Sequence, residues 1–465
     1  MRTLEYARST ISESRCEAIC AAEHLSGVTQ LDLRGASTSY RVLHQLAAGA
    51  PFVLEAFALR KSTSSGAKPA DLLPLFTSPM LSRLSSLELT GWARFGVSSV
   101  KAMIENLPLT NLKRLDLNGT GVGKSGLKAI LECEGLNGLE WLDLRELEFG
   151  KKQVEALVDA THLNNLKHLC LRSCSFSPAL IGDMSLAPHI HALESLDLGR
   201  NRLTVDDMRA LCAPELYPNL RALEIRDPLE PEALEVLLSS ECFARVTSLS
   251  LTDVPLDAGA IQAAASWPAL EALHLDEPLV GVEAWRALMQ SPLCDGLETL
   301  RAQRLIDPKT RADSHLWTIE EQLSHRHALM LEVLSVPMPV SLEHLDLSSN
   351  KLRAEHLERL LAQACIPNLR SLGLSSSIYR YRESNSASLR VLAQEPRLAN
   401  LRALSIHTIA DDQEALEELV RSEHLGELRL VELSSRVSSE RLERLESIAS
   451  SRLRVRRLGD DEGDR

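Results

Sequence analysis

Leu112-Lys113-Arg114-Leu115-Asp116-Leu117 is the stretch that decides the fold, because the chain repeats its pattern, L-x-x-L-x-L, many times. Copies start at Leu139, Leu166, Leu193 and Leu220, so that each start lies 27 residues after the previous one. A fixed period of this length indicates a repeat architecture, in which each unit buries its apolar face only by packing on its neighbours. The sequence therefore predicts a solenoid of about 15–16 units.

Each repeat joins a strand pattern to a helix pattern. After the first leucine, apolar and polar residues alternate, as in a short strand with one buried face. Further along, apolar residues recur at the i, i+3, i+4 spacing of a buried helix stripe. The fold class that follows is α/β: a horseshoe-shaped solenoid with a parallel sheet on its concave face and helices on its convex face. In the repeat at Leu112, the expected inward residues are Leu115 and Leu117 on the strand and Leu127, Ile130 and Leu131 on the helix.

The pattern, its period of about 26–28 residues and the helix in each unit resemble the ribonuclease-inhibitor-like branch of the leucine-rich-repeat superfamily. This branch includes ribonuclease inhibitor and the Ran GTPase-activating proteins, and the resemblance covers roughly residues 28 to 450. The Asn or Cys that the family places after the strand is matched at Cys174, Asn201 and Asn350, whereas Thr120 and Leu147 depart from it. The resemblance implies protein binding and carries over no catalytic residue.

Breaks in the period suggest the organisation of the chain. We expect a degenerate capping repeat at residues 1–27, repeats at 28–302, an insert on the rim at 303–340, repeats with a C-terminal cap at 341–450, and a disordered tail at 451–465. Shorter extra loops follow Leu59 and Leu374. Insertions in repeat proteins often lie on the binding face, although a surface loop also tolerates added length at little cost. Both interpretations stay open for the insert and for the loop after Leu374.

Composition and charge narrow the class of partner. The net charge is −13, with 64 acidic against 51 basic residues, which argues against nucleic acid as the ligand. The excess of Arg over Lys indicates a GC-rich, bacterial genome. The sequence has nine cysteines, which show neither a disulfide framework nor zinc spacing, so we expect thiols in a reducing cytoplasm. The sequence shows no secretory signal and no run of about 18 apolar residues, so no membrane span is expected.

A search for chemistry-bearing motifs yields none that would support an enzyme. The glycine cluster Asn118–Gly126 ends in GKS but lacks the spacing of a phosphate-binding loop, and it falls in the turn of a regular repeat. The histidine groups at 189–191 and 315–327 lack ligand partners at metal spacing. We therefore expect no cofactor, no metal and no small-molecule substrate. Regulation of a small GTPase and an enzyme site in the 303–340 insert are the alternatives to a non-catalytic protein-binding scaffold.

The concave face is the expected binding surface. Its middle column is acidic, and the adjacent column carries arginines that can pair with it, so both a solvated face and a recognition stripe are open interpretations. Trp141 falls at an outward position, where an aromatic residue beside arginines has the composition of a binding hot spot. The predicted partner-binding residues are Arg114, Asp116, Trp141, Asp143, Arg145, His168, Arg172 and Arg226 on the sheet, with Tyr379 and Tyr381 on a rim loop.

Overall fold

Strand-and-helix repeats build the chain in a computed structural model. The chain divides into a first unit, residues 1–225, and a second unit, residues 226–465. Each unit contains its own succession of parallel strands. The structure describes residues 2–6, 10–34, 36–60, 72–92, 95–176, 180–184, 187–213, 216–264, 267–306, 308, 318–375, 386–406, 412–433, 437–449 and 451–457.

The strands of the first unit pair in parallel, each with the strand of the next repeat. Their central leucines stand in register, and Leu115 is fully buried, as predicted. The main strands are β1 (Thr3–Glu5), β3 (Gln30–Asp32), β5 (Ala56–Arg60), β6 (Ser86–Thr90), β7 (Arg114–Asp116), β8 (Trp141–Asp143), β9 (His168–Cys170), β10 (Ser195–Asp197) and β11 (Ala222–Ile225); the short β2 (Thr10–Ile11) pairs with β4 (Ser37–Thr38).

Helices of the first unit pack on the helices of neighbouring repeats. In the repeat at Leu112 the helix Gly123–Leu131 buries the three predicted residues of its apolar stripe. The helices are Glu13–Cys20, Tyr40–Gly49, Leu73–Phe76, Gly96–Asn106, Gly123–Leu131, Lys151–Asp159, Leu180–Met184 and Val205–Leu211, and the short 3₁₀ turns are Glu23–Gly27, Pro79–Leu81, Leu109–Asn111, Glu134–Leu136, Thr161–Leu163 and Pro188–Ala192.

The second unit repeats the same construction, and the predicted class of leucine-rich-repeat α/β solenoid is confirmed. Its strands are β12 (Ser248–Thr252), β13 (Pro255–Leu256), β14 (Ala272–Asp276), β15 (Leu279–Val280), β16 (Thr299–Gln303), β17 (His344–Asp346), β18 (Ser371–Leu374), β19 (Ala403–Ile406), β20 (Leu430–Leu433) and β21 (Arg454–Arg457). Its helices are Pro231–Leu238, Ala258–Gln262, Val282–Met289, Ile319–Val333, Ala354–Leu361, Ser386–Ala393, Gln413–Val420 and Ser439–Ile448, with 3₁₀ turns at Glu241–Phe243, Pro292–Cys294, Ile366–Asn368, Pro396–Leu398 and Glu423–Leu425.

Buried asparagines hold the turns after two strands. The Asn201 amide nitrogen donates to the carbonyl oxygens of Leu171, at 2.8 Å, and Leu198, at 2.7 Å, and its oxygen accepts from the Cys174 N–H at 2.8 Å. Asn350 makes the same three kinds of contact in the second unit. A single side chain thereby satisfies backbone groups of two adjacent repeats that would otherwise be buried without partners.

The glycine cluster Asn118–Gly126 forms a turn, as predicted. Gly119 and Gly123 have φ angles of +64° and +66°, in the left-handed region that glycine adopts without a steric penalty. The helix begins at Gly123 itself. The glycines therefore serve the change from strand to helix.

The prediction of a rim insert at 303–340 was wrong for its second half. Ile319–Val333 is a helix that packs against the helices Val282–Met289 and Ala354–Leu361, and it supplies the helix of this long repeat. Its start is fixed by a capping box, in which the Thr318 hydroxyl accepts from the Glu321 N–H at 3.2 Å and the Glu321 carboxylate accepts from the Thr318 N–H at 2.7 Å.

The prediction of a disordered tail at 451–465 was also wrong in part. Residues 454–457 form β21, which pairs in parallel with β20. Val455 continues the buried column beyond Val431, and the guanidinium of Arg456 lies 2.7 Å from the Glu432 carboxylate, so that this segment completes one more strand. Residues 458–465 lie outside the described residues.

The described part of the chain contains neither a candidate metal site nor a candidate membrane span. No group of three or more His, Cys, Asp or Glu side chains there could hold a metal ion. None of the described helices has the length and apolar character needed to cross a membrane. All nine cysteines are free thiols in the structure.

Candidate functional site

Five of the predicted site residues lie on one side of the sheet in the first unit, which we call the strand face: Arg114, Asp116, Trp141, Asp143 and His168. Strand register places Arg114, Trp141 and His168 side by side on β7, β8 and β9. Two residues further along the same strands, Asp116 and Asp143 are also neighbours. Adjacent strands lie about 4.8 Å apart, so side chains at matching positions contact each other.

A row of stacked groups crosses these three strands. The guanidinium carbon of Arg114 lies 4.2 Å from the ring centroid of Trp141, and the His168 ring lies 4.6 Å from it on the next strand at an interplanar angle of 33°. The first contact has the geometry of a cation–π interaction. Trp141 is half-buried, and its indole N–H has no hydrogen-bond partner in the part of the chain that the structure describes. We call Arg114, Trp141 and His168 the stacked row.

Arginines bind most of the acidic side chains beside the stacked row. Glu88 lies between two of them, with Arg34 Nη1 at 3.0 Å from one carboxylate oxygen and Arg114 Nε at 3.1 Å from the other. Asp143 is held by Arg145, whose Nε lies 2.8 Å from one carboxylate oxygen. Arg114 is therefore fixed from both ends, by Glu88 and by the Trp141 ring.

Two members of the acidic column are buried. Asp116 is only 5% exposed and Asp143 only 1%. The arginines near them bind carboxylates, Arg114 that of Glu88 and Arg145 that of Asp143. Burial, together with the nearby charge of Asp143, raises the pKa of Asp116 to about 6.

Burial shifts the pKa of two further groups on the strand face in the direction of their neutral forms. Burial lowers the pKa of His168, whose Nδ1 has no hydrogen-bond partner among the described residues. Burial also raises the pKa of Cys170, and the thiol donates to an Asp197 carboxylate oxygen 3.1 Å away. Such a thiol is a poor nucleophile, because nucleophilic attack requires the thiolate. Cys170 is thus a packing and hydrogen-bonding group.

Not every predicted site residue joins this surface. Arg172 follows β9 and makes no ion pair with any described residue. Arg226 belongs to the second unit, where its charge contributes to the lowered pKa of His274, a shift that is caused mainly by burial. Tyr379 and Tyr381 lie in residues 376–385, outside the described residues, so their role stays a prediction.

The predicted site residues omit Arg34 and Glu88, which the structure places at the end of the stacked row. Arg34 follows β3 and reaches past β5 to Glu88 on β6. Ala58, in register with Glu88 on the intervening strand, has a short side chain that leaves the path open. The sequence signal for this ion pair is the small Ala58 in a repeat that lies between a repeat with Arg34 and a repeat with Glu88. The signal is found only when the same position is compared across three repeats.

Comparisons with known proteins agree with the repeat architecture. A family model described as "Leucine Rich repeat" matches residues 109–131 and 189–212, and one described as "Leucine Rich Repeat" matches residues 341–361. No curated protein matches the chain. These matches identify leucine-rich repeats at the matched residues and leave the branch of the superfamily open.

Several solved structures are similar over most of the chain. A chain of the yeast Rad7 and Elc1 complex is 16% identical, with 85% of each chain covered and a TM-score of 0.46. An internalin of Listeria monocytogenes is 13% identical, with 97% of this chain and 90% of that chain covered and a TM-score of 0.29. The ectodomain of a receptor kinase of Arabidopsis thaliana, GASSHO1/SCHENGEN3, is 12% identical, with 98% and 67% covered and a TM-score of 0.32. Identities this low assign no partner.

Proposed function

We propose that this chain of leucine-rich repeats is a non-catalytic scaffold that binds a protein partner on the strand face, as an inhibitor, adaptor or sensor. The stacked row is the observation that carries the proposal. Arginine and tryptophan are the residue types enriched at binding hot spots, and here they form a half-buried, connected surface on the open side of a sheet.

Preorganisation strengthens this proposal. Arg114 is held by Glu88 at 3.1 Å and by the ring of Trp141, so the side chains that would contact a partner are already ordered in the free chain. Binding to ordered side chains avoids a cost of about 0.5–1.5 kcal/mol for each long side chain that would otherwise be immobilised. Solubility alone does not require that these side chains be held in one conformation.

The kind of partner follows from the charge. A protein rather than a nucleic acid is proposed, because the net charge of −13 disfavours phosphate binding. The nine thiols support a reducing cytoplasmic location, and the 27-residue period with a helix in each repeat supports kinship with the ribonuclease-inhibitor-like branch. The Tyr379 and Tyr381 loop is proposed as a second, peripheral contact.

Affinity capture with a matched set of variants tests the proposal. The full chain and its Trp141→Ala variant are used as baits in lysate of the native cell, and the dissociation constant of each captured protein is then measured by calorimetry. Trp141→Ala should weaken the partner more than tenfold, or by at least about 1.5 kcal/mol. Trp141→Phe retains an aromatic ring over Arg114 and should lose less.

Lys128→Ala is the control. Lys128 lies on the helix Gly123–Leu131, where its ammonium contacts Glu132 at 3.4 Å, far from the stacked row in the repeat pattern. It should bind the partner as the unaltered chain does. Undiminished binding by Trp141→Ala, with a loss in Lys128→Ala, would move the binding surface to the helices and refute the proposal.

A further inference from the structure

Three acidic residues stand in register on neighbouring strands of the first unit. Glu88 lies on β6, Asp116 on β7 and Asp143 on β8. The two outer members are neutralised: Arg114 Nε lies 3.1 Å from Glu88, and Arg145 Nε lies 2.8 Å from Asp143. Each of the two outer carboxylates in this row is therefore paired with an arginine.

The central member is not held by an arginine in this way, because the cation that acts on it, Arg145, pairs with Asp143. One Asp116 oxygen accepts the backbone N–H of Asn118 at 2.9 Å, and the other accepts no hydrogen bond from any described residue. Neither oxygen forms an ion pair within the described part of the chain. With only 5% of the residue exposed, water supplies little compensation, and a buried carboxylate without a partner is destabilising.

We propose that Asp116 is the docking point for a lysine side chain of the protein partner. This rests on the proposed function, because it names the chemistry by which the strand face recognises that partner. Only 5% of Asp116 is exposed, and an ammonium is a compact charge on a thin stem, whereas a guanidinium is a wide planar fork, so a lysine reaches this carboxylate more readily than an arginine does. The lysine supplies the missing counter-ion, and the adjacent stacked row offers apolar surface to its stem.

The partner's affinity then depends on pH. The charged groups that act on Asp116 are Glu88 on β6, Asp143 on β8 and Arg145, which follows β8; the carboxylates favour the protonated form and Arg145 opposes it. The lysine binds only the ionised carboxylate. With a pKa of about 6, about one-tenth of the chains carry that form at pH 5, so the dissociation constant should rise about tenfold from pH 7.5 to pH 5.

Short random peptides displayed on phage provide a test that does not require the identity of the partner. Peptides are selected against the full chain at pH 7.5, and the enriched ones are synthesised and measured by fluorescence anisotropy. They should share a lysine whose replacement by norleucine weakens binding to the unaltered chain at least about tenfold, as expected for removal of one member of a buried charge pair. The same replacement should change binding to Asp116→Asn less than about twofold.

Matched variants show which residue causes the pH dependence of binding. Asp116→Asn keeps the shape of the side chain and should abolish the dependence on pH. His168→Gln removes another group on this face whose pKa is shifted and should retain the dependence. Circular dichroism of each variant establishes that it is folded before binding is measured.

The outcomes distinguish this proposal from the proposed function. Peptides that are weakened by Trp141→Ala and not by Asp116→Asn overturn the lysine docking point and leave the strand face as the binding surface. Peptides indifferent to both substitutions overturn both proposals, as does a selection that enriches no peptide on the unaltered chain over the chain that carries both Trp141→Ala and Asp116→Asn. A requirement for the lysine that is lost in Asp116→Asn and kept in the other variants supports both the lysine docking point and the strand face as the binding surface.

Discussion

Asp116→Asn should stabilise the free chain at neutral pH. The pKa of Asp116 is raised from 3.8 to about 6, so the folded state loses stability as the pH rises through this interval and the carboxyl ionises. Two pKa units correspond to about 3 kcal/mol, and Asn, which carries no charge, avoids this loss. Allowing for relaxation of the site, Asn should be more stable by about 1–3 kcal/mol at pH 7.5.

Urea unfolding at two pH values measures this effect. At pH 4, where the unaltered carboxyl is protonated in the fold, the difference between the two chains should shrink toward zero. Asp143→Asn is the matched control, since Asp143 is held by Arg145 Nε at 2.8 Å and should lose stability at pH 7.5 when that ion pair is removed. A gain for Asp116→Asn that was equal at both pH values, or a loss at pH 7.5, would contradict the assignment of an unpaired charge.

Three other changes test packing, turns and buried histidine by the same unfolding assay. Leu115→Ala removes a fully buried side chain between repeats and should cost about 2–5 kcal/mol, whereas a cost below about 1 kcal/mol would place this strand in a different register. Asn201→Ala leaves the Cys174 N–H and two carbonyl oxygens without partners and should cost about 2–4 kcal/mol; a neutral result would show that water replaces the amide. Burial lowers the pKa of His189 to about 4, so stability should fall as the pH falls from about 6.5 to 4, by about 2–3 kcal/mol, and His189→Leu should flatten this slope.

Most of the fold could be predicted because its signal is local and repeated. Period, strand alternation and helix stripe recur in every repeat, so an error in one repeat is corrected by the others. The two incorrect predictions, the rim insert and the disordered tail, concern segments that depart from the regular repeat pattern. Ile319–Val333 occupies a repeat longer than the rest, and its Thr318 capping box is a signal within a single segment. Arg454–Arg457 becomes a strand through its pairing with β20, a contact that lies outside the segment itself.

The candidate site could be predicted only as a set of positions. Alternation tells which side of the sheet a residue lies on, and it placed Trp141 and Asp116 correctly on the same side. Alternation does not tell whether a residue on that side is exposed to solvent, because its exposure depends on side chains from neighbouring strands. Arg114 binds Glu88 on the neighbouring strand and Arg145 binds Asp143, whereas Asp116, which lies between these two carboxylates, is only 5% exposed. The chemistry of Asp116 therefore arises from which carboxylates the arginines reach: both of its neighbours form an ion pair, and the carboxylate without one is where a cationic partner gains most by binding.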